Sequence, residues 1–197
     1  MAASGLDPSK IFPFPLDDFQ LEAIDALNQG HSVVVSAPTG SGKTLVGEYA
    51  IHRALAHGQK VFYTTPLKAL SNQKLRDFRE AYGDDNVGLM TGDLSVNREA
   101  SIVVMTTEIF RNMLYAEASE QDDPLADVEA VVLDECHYMN DSQRGTVWEE
   151  SIIHCPPSVQ LVALSATVAN AGQLTDWIEK VHGPTTLVLS DHRPVPL

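Results

Sequence analysis

Eight consecutive residues, Ala37-Pro38-Thr39-Gly40-Ser41-Gly42-Lys43-Thr44, set glycines, hydroxyls and one lysine at a spacing that suits a phosphate group. They match G-x-x-x-x-G-K-[ST], except that alanine takes the first place. Gly40 and Gly42 let the backbone turn so that several N–H groups point inward at one anion. Lys43 would then reach the β- and γ-phosphates of a nucleotide, and Thr44 would offer its hydroxyl to Mg²⁺. A helix starting here would turn its positive end toward the same anion. A second group, Asp134-Glu135-Cys136-His137, follows the apolar run 128–133. Asp134 suits the shell of a Mg²⁺ ion, and Glu135 suits orienting or deprotonating an attacking water. A third, Ser165-Ala166-Thr167, follows the apolar run 159–164. Small hydroxyl turns often cap helices. At a strand end in the same sheet, this one is a candidate relay between the nucleotide site and whatever the domain moves.

These groups need a frame that brings them together. Short apolar runs at 33–36, 60–64, 87–90, 102–105, 128–133, 159–164 and 185–189 predict about seven strands. Helix-length segments with three- and four-residue apolar spacing lie between most of them. Segments 18–29 and 43–57 are closed by Gly30 and Gly58, and 170–182 places Leu174, Trp177, Ile178 and Val181 on one face. Strands that are apolar throughout and alternate with helices predict a mostly parallel α/β sheet with helices on both faces. Ligands of such sheets bind at the carboxyl ends of the strands, where all three polar groups fall.

The chain of 197 residues, 44% hydrophobic and 20% charged, suits one α/β domain with a full core. No apolar run is long enough to cross a membrane, and no signal peptide is expected at the amino terminus. Cys136 and Cys155 are too few for a disulfide framework and fit a reducing compartment. The seven histidines show no H-x-x-x-H spacing and no C-x-x-C accompanies them, so no structural zinc site is expected. His31, His52, His57, His154, His182 and His192 are expected at the surface or at helix ends. Trp148 and Trp177 are expected in the core, and Cys155 at the end of a helix. The net charge of −14 argues against a nucleic-acid partner until its distribution is considered. Residues 60–79 carry +4, whereas 117–150 carry −10, so the acidity is concentrated away from the basic stretch.

The order A-P-T-G-S-G-K-T, D-E-C-H, S-A-T resembles the first RecA-like lobe of superfamily 2 helicases of the DExH type, a P-loop NTPase fold. The likeness runs from about Phe12 to Pro196. The flanks resemble the Ski-like RNA helicases, a group that feeds RNA to exosome-type nucleases and has plastid and cyanobacterial members. They are Phe14-Pro15-Leu16-Asp17-Asp18-Phe19-Gln20, the run Thr65-Pro66-Leu67-Lys68-Ala69-Leu70-Ser71-Asn72-Gln73, and Tyr138-Met139-Asn140-Asp141 after the acidic box. Arg144 to Glu150 and Asp191-His192-Arg193-Pro194-Val195-Pro196 add to the likeness.

The resemblance implies ATP and Mg²⁺ as ligands, with Gln20 reading the adenine edge and Phe14 stacking on its face. It implies RNA-backbone contacts at Thr65, Pro66, Lys68, Thr91, Gly92, Thr107 and Glu108, which position a strand without reading bases. His137 would link the nucleotide site to Ser165-Ala166-Thr167, and Cys136 would be a spectator. Residues 1–190 are expected to form the lobe and 191–197 to begin an interlobe linker, with the arginine-bearing second lobe absent. An arginine finger can contribute ~10³–10⁵ in rate, so the lobe alone is expected to be a poor ATPase that binds RNA weakly. The implied partners are RNA, the second lobe in cis and a nuclease complex, with no membrane and a cytoplasmic, bacterial or organellar location. Two alternatives stand beside this reading: a DNA helicase lobe of the same superfamily and a nucleotide-gated interaction module.

Overall fold

The structure is a computed structural model that describes residues 7–38, 40–92, 94–117, 125–136 and 145–190. Thr39, His137 and the expected linker 191–197 lie outside the described residues, as does the side chain of Trp148. A short helix α1 (Pro8–Ile11) is capped by Asp7, whose carboxylate accepts the Ser9 N–H at 3.0 Å. Then follow α2 (Asp18–Asn28), β1 (Ser32–Ser36), α3 (Thr44–Ala56), β2 (Lys60–Thr65), α4 (Lys68–Tyr82) and β3 (Val87–Met90). The rest is β4 (Ser95–Val96), β5 (Ile102–Thr106), α5 (Thr107–Glu117), β6 (Val128–Leu133), α6 (Gly145–His154), β7 (Gln160–Ser165), α7 (Ala171–Val181) and β8 (Thr185–Leu189).

The strands form one eight-stranded sheet in the order β4-β3-β5-β2-β6-β7-β1-β8. Every pairing is parallel except β3 with β4. Alternate residues of each strand feed two separate cores. Val33, Val35, Val61, Tyr63, Ala130 and Val132 meet α2, α3 and α4 on one face. Val34, Phe62, Val131 and Leu133 meet α5, α6 and α7 on the other. This double coverage is why the strands contain almost no outward polar positions. The three helices expected from periodicity appear within one residue at each end. Trp177 packs half-buried against the second core, and Cys155 follows the last residue of α6, both as expected.

Two features depart from the sequence reading. The sheet has one strand more than the seven expected, because Ser95–Val96 is too short to show any periodicity. This strand folds antiparallel onto β3 and covers that edge of the sheet. His52 is neither at the surface nor at a helix end; it is half-buried in α3, with ring contacts to Phe12 and Tyr82. Among the described residues no helix is long and apolar enough to cross a membrane.

Gly88 makes the β3–β4 hairpin possible. A Cβ there would lie 2.1 Å from the Asn97 carbonyl oxygen and 2.7 Å from that of Val96. Both obstacles are backbone, so they cannot rotate away. Gly88→Ala should lower stability by about 1–3 kcal/mol through overpacking. Gly172→Ala, where a Cβ meets nothing within 4 Å, should leave stability unchanged or slightly raised. Urea unfolding of the two variants side by side checks this.

At the amino ends of the strands, a buried polar network joins helices to sheet. Arg53 Nη1 donates to Gln160 Oε1 at 2.8 Å and lies 3.5 Å from Glu129 Oε2. His57 Nδ1 pairs with Glu129, and Gln160 Nε2 donates to the carbonyls of Leu27 and His31, each at 2.9 Å. All of this is at the end of the sheet opposite the sequence motifs.

Candidate functional site

The phosphate-type loop leaves β1 while still tied to its neighbour, since the Ala37 N–H donates to the Ser165 carbonyl at 3.1 Å. Ala37 is wholly buried in the first core, so its methyl group replaces glycine without cost to the loop. The Ser41 N–H donates to the Pro38 carbonyl at 3.1 Å and closes the turn. Gly40 (φ 83°) and Gly42 (φ 90°) occupy the left-handed region, which L side chains rarely adopt. Lys43 is the N-cap residue of α3 and is buried, with its ammonium folded back to 3.3 Å from the Ala37 carbonyl. The Ser41 hydroxyl is buried and, among the described residues, has no hydrogen-bond partner. A buried hydroxyl and a buried cation that, among the described residues, meet no acceptor and one long carbonyl contact respectively are what a phosphate would satisfy, so the residues present fit that group.

Asp134 leaves β6 in a similar way, its N–H donating to the Thr64 carbonyl at 3.0 Å. Its carboxylate is buried. Oδ1 accepts the Glu135 N–H at 2.9 Å and Oδ2 accepts the Tyr63 phenol at 2.6 Å. The Lys74 ammonium stands 4.0 Å from Oδ2. Glu135 has φ 55°, a left-handed conformation costing roughly 1–3 kcal/mol in a non-glycine residue. Burial and the neighbouring Asp134 push the Tyr63 phenol well above its ordinary range, so it stays protonated and donates. Among the described residues no group of three His, Cys, Asp or Glu side chains could enclose a metal. A buried carboxylate with lone pairs left over still fits Mg²⁺, which keeps most of its waters and needs only one or two protein ligands.

Strand order explains why the third motif matters. β7 lies between β6 and β1, so Ser165 emerges between the acidic pair and the loop. Its carbonyl accepts from Ala37, its hydroxyl donates to the Ala166 carbonyl at 2.8 Å, and it also hydrogen-bonds the Cys136 thiol. Burial pushes that thiol up to about 12, so Cys136 is chemically inert yet touches the proposed relay. Thr167 is exposed and Ala166 half-buried.

Gln20 is buried, with both ends of its carboxamide engaged. Oε1 accepts the Asp17 N–H at 2.8 Å, and Nε2 donates to the Gly42 carbonyl at 2.9 Å. It thus fastens the start of α2 to the loop. Phe14 is half exposed and leans on Phe12 with centroids 5.9 Å apart. From there an aromatic row runs through His52 and Tyr82 to Phe78 and Tyr63.

The residues assigned to a nucleic-acid strand lie at the carboxyl ends of β2, β3 and β5, three neighbours in one half of the sheet. Lys68, Gly92 and Glu108 are exposed and Pro66 is half-buried. Thr65 and Thr91 are buried and shape their loops. The Thr65 hydroxyl donates to the Leu67 carbonyl at 2.8 Å and lies 2.9 Å from the Ser71 hydroxyl. Thr107 donates to the Thr65 carbonyl at 3.3 Å, joining the two loops, and the Thr91 N–H donates to the Leu94 carbonyl at 2.8 Å.

Tyr63 and Lys74 were not evident from motif spacing. The one available signal is a tyrosine in an otherwise apolar strand, since a buried phenol usually finds an acceptor.

A parallel sheet with this loop after one strand and an acidic pair two strands away defines the RecA-like helicase fold. The chain belongs to the DEAD/DEAH box helicase family, whose model matches residues 17–174. Its curated relatives are DExH-box helicases of the Ski2-like group. It is 59% identical over 189 residues to the chloroplastic DExH-box ATP-dependent RNA helicase DExH15 of Arabidopsis thaliana, covering 95% of this chain and 16% of that one. It is 50% identical over 192 residues to the antiviral helicase SKI2 of Saccharomyces cerevisiae, covering 97% and 15%. The chain therefore spans about a sixth of the length of these relatives. Among solved structures, the Mycobacterium smegmatis helicase Lhr bound to ssDNA and AMP-PNP superposes with a TM-score of 0.71 at 27% identity, covering 92% of this chain and 26% of that one.

Proposed function

We propose that residues 1–190 form the ATP-binding lobe of an ATP-dependent RNA helicase, which hydrolyses ATP together with a second RecA-like lobe in cis. The observation that carries this reading is the buried Lys43 and the Ser41 hydroxyl, without a partner among the described residues, in one loop that is joined through Ser165 to Cys136 beside the Asp134-Glu135 pair. Lys43 and the loop from Ala37 to Thr44 hold the nucleotide phosphates, Phe14 and Gln20 the base. Thr44 and Asp134 hold Mg²⁺, which when bound supplies charge neutralisation to the phosphates. Glu135 orients the attacking water and accepts its proton. Ser165, Ala166 and Thr167, with His137, relay the state of this site to the second lobe.

Thr65, Pro66, Lys68, Thr91, Gly92, Thr107 and Glu108 form the track for the RNA backbone, with Lys68 as its exposed cation. Binding there is independent of sequence, and weak for a chain of net charge −14. In the cell this lobe would work in the cytoplasm, or in a bacterial or organellar counterpart of it, beside a nuclease that consumes the strand. High identity to a named RNA helicase supports RNA as the substrate. A DNA substrate is the second reading, favoured by the likeness to Lhr, a helicase solved on ssDNA. ATPase assays of the intact parent protein on matched strands separate them. RNA should stimulate turnover at least about tenfold more than DNA, which corresponds to ~1.4 kcal/mol. Equal stimulation by both would sink the RNA assignment.

A further inference from the structure

The Asp134 carboxylate is held from behind by two residues that belong to none of the sequence motifs. Tyr63 is wholly buried in β2, and its phenol spends its one proton on Oδ2 at 2.6 Å. The Glu135 N–H takes a lone pair of Oδ1 at 2.9 Å. Each oxygen keeps one further lone pair, and the carboxylate cannot rotate without breaking both bonds. Lys74 approaches differently. Its ammonium lies 5.5 Å from the Tyr63 ring centroid and 5.8 Å from that of Phe78, and 4.0 Å from Oδ2. That distance is too long for a hydrogen bond, yet close enough for strong Coulombic attraction in a buried setting. The rings, set edge to face with centroids 4.9 Å apart, keep the ammonium there.

We propose that Tyr63 and Lys74 set the divalent-cation affinity of Asp134 in opposite directions. Tyr63 is a positioning residue that raises it, and Lys74 is a tethered countercharge that lowers it. The inference rests on the reading of Asp134 as a metal carboxylate. Tyr63 raises affinity because the carboxylate is already oriented when the ion arrives, as partners behind metal ligands commonly do. Lys74 lowers affinity because its charge already balances part of that of Asp134 and repels an incoming dication. In exchange it keeps the carboxylate from being an unpaired buried anion before the ion binds.

The test is a fluorescence titration of the 197-residue chain with N-methylanthraniloyl-ADP, across a range of Mg²⁺ concentrations and in EDTA. In Tyr63→Phe, the half-saturating Mg²⁺ concentration should rise about 10–100-fold while affinity in EDTA stays at the parent value. In Lys74→Met, which keeps the stem on the rings, it should fall about three- to tenfold, and Lys74→Arg should restore the parent value. A purely structural role would move the EDTA and Mg²⁺ affinities together. That outcome, or an unchanged Mg²⁺ dependence in both variants, overturns the proposal while the nucleotide site stands. A parent chain whose nucleotide binding ignores Mg²⁺ overturns the metal assignment of Asp134, and this inference with it.

Discussion

Lys43→Ala should weaken ATP binding by about 10²-fold or more. The lysine is buried at the N-cap of α3, and its ammonium lies 3.3 Å from the Ala37 carbonyl. Among the described residues no carboxylate pairs with it. Its removal takes away the one full positive charge that the loop itself offers the phosphates, leaving backbone N–H groups, the Ser41 hydroxyl and the helix end beside the proposed Mg²⁺. Truncating one partner of a desolvated charge pair costs about 2–5 kcal/mol, which is the source of the expected factor. Equilibrium titration of the chain with ATP reads it directly, and unaltered affinity would contradict the phosphate assignment. Lys43→Arg should not rescue fully, because a planar fork cannot occupy the place of a compact ammonium in so tight a loop.

The second large effect concerns turnover rather than binding. Glu135→Gln in the intact parent helicase should cut the rate of ATP hydrolysis about 10²–10⁴-fold and leave nucleotide affinity in place. The amide keeps the size and the left-handed backbone of the residue, whose N–H remains bonded to Asp134 Oδ1. What it loses is the ability to accept a proton. A lobe that worked only as a nucleotide-gated docking surface would show the same function in both forms. Single-turnover hydrolysis together with a binding titration therefore separates an engine from a switch.

The carboxyl-end placement of every chemical motif was legible because glycine-rich turns and acidic pairs follow unmistakably apolar runs. Helices α2, α3 and α7 were legible to within a residue because their apolar faces repeat and glycines follow them closely. Neighbour relations were not legible. Tyr63 meets Asp134 because β2 and β6 align Tyr63 with Val132, and no local pattern encodes a register between segments about seventy residues apart. The same holds for Lys74, which reaches Asp134 across the Tyr63 and Phe78 rings. Two-residue β4 lies below the length at which alternation exists, and Gly88, the residue that permits it, reads in sequence as an ordinary strand glycine. The contact of Gln20 with Gly42 was not legible, since that bond depends on how α2 is laid against the loop.

The strand order also has a consequence for how the chain is made. β1 leads into the glycine-rich loop, yet among the described residues its sheet partners are β7 and β8. Both are translated after nearly everything else described. At ~5–20 residues per second, the roughly 120 residues between β1 and β7 take about 6–24 s to emerge from a ribosome. Within that interval β2, β3 and β5 can pair as soon as β5 has emerged, whereas the apolar run Val33-Val34-Val35 still has no strand to meet. The glycine-rich loop is therefore among the first parts of this domain to be synthesised and among the last to be built.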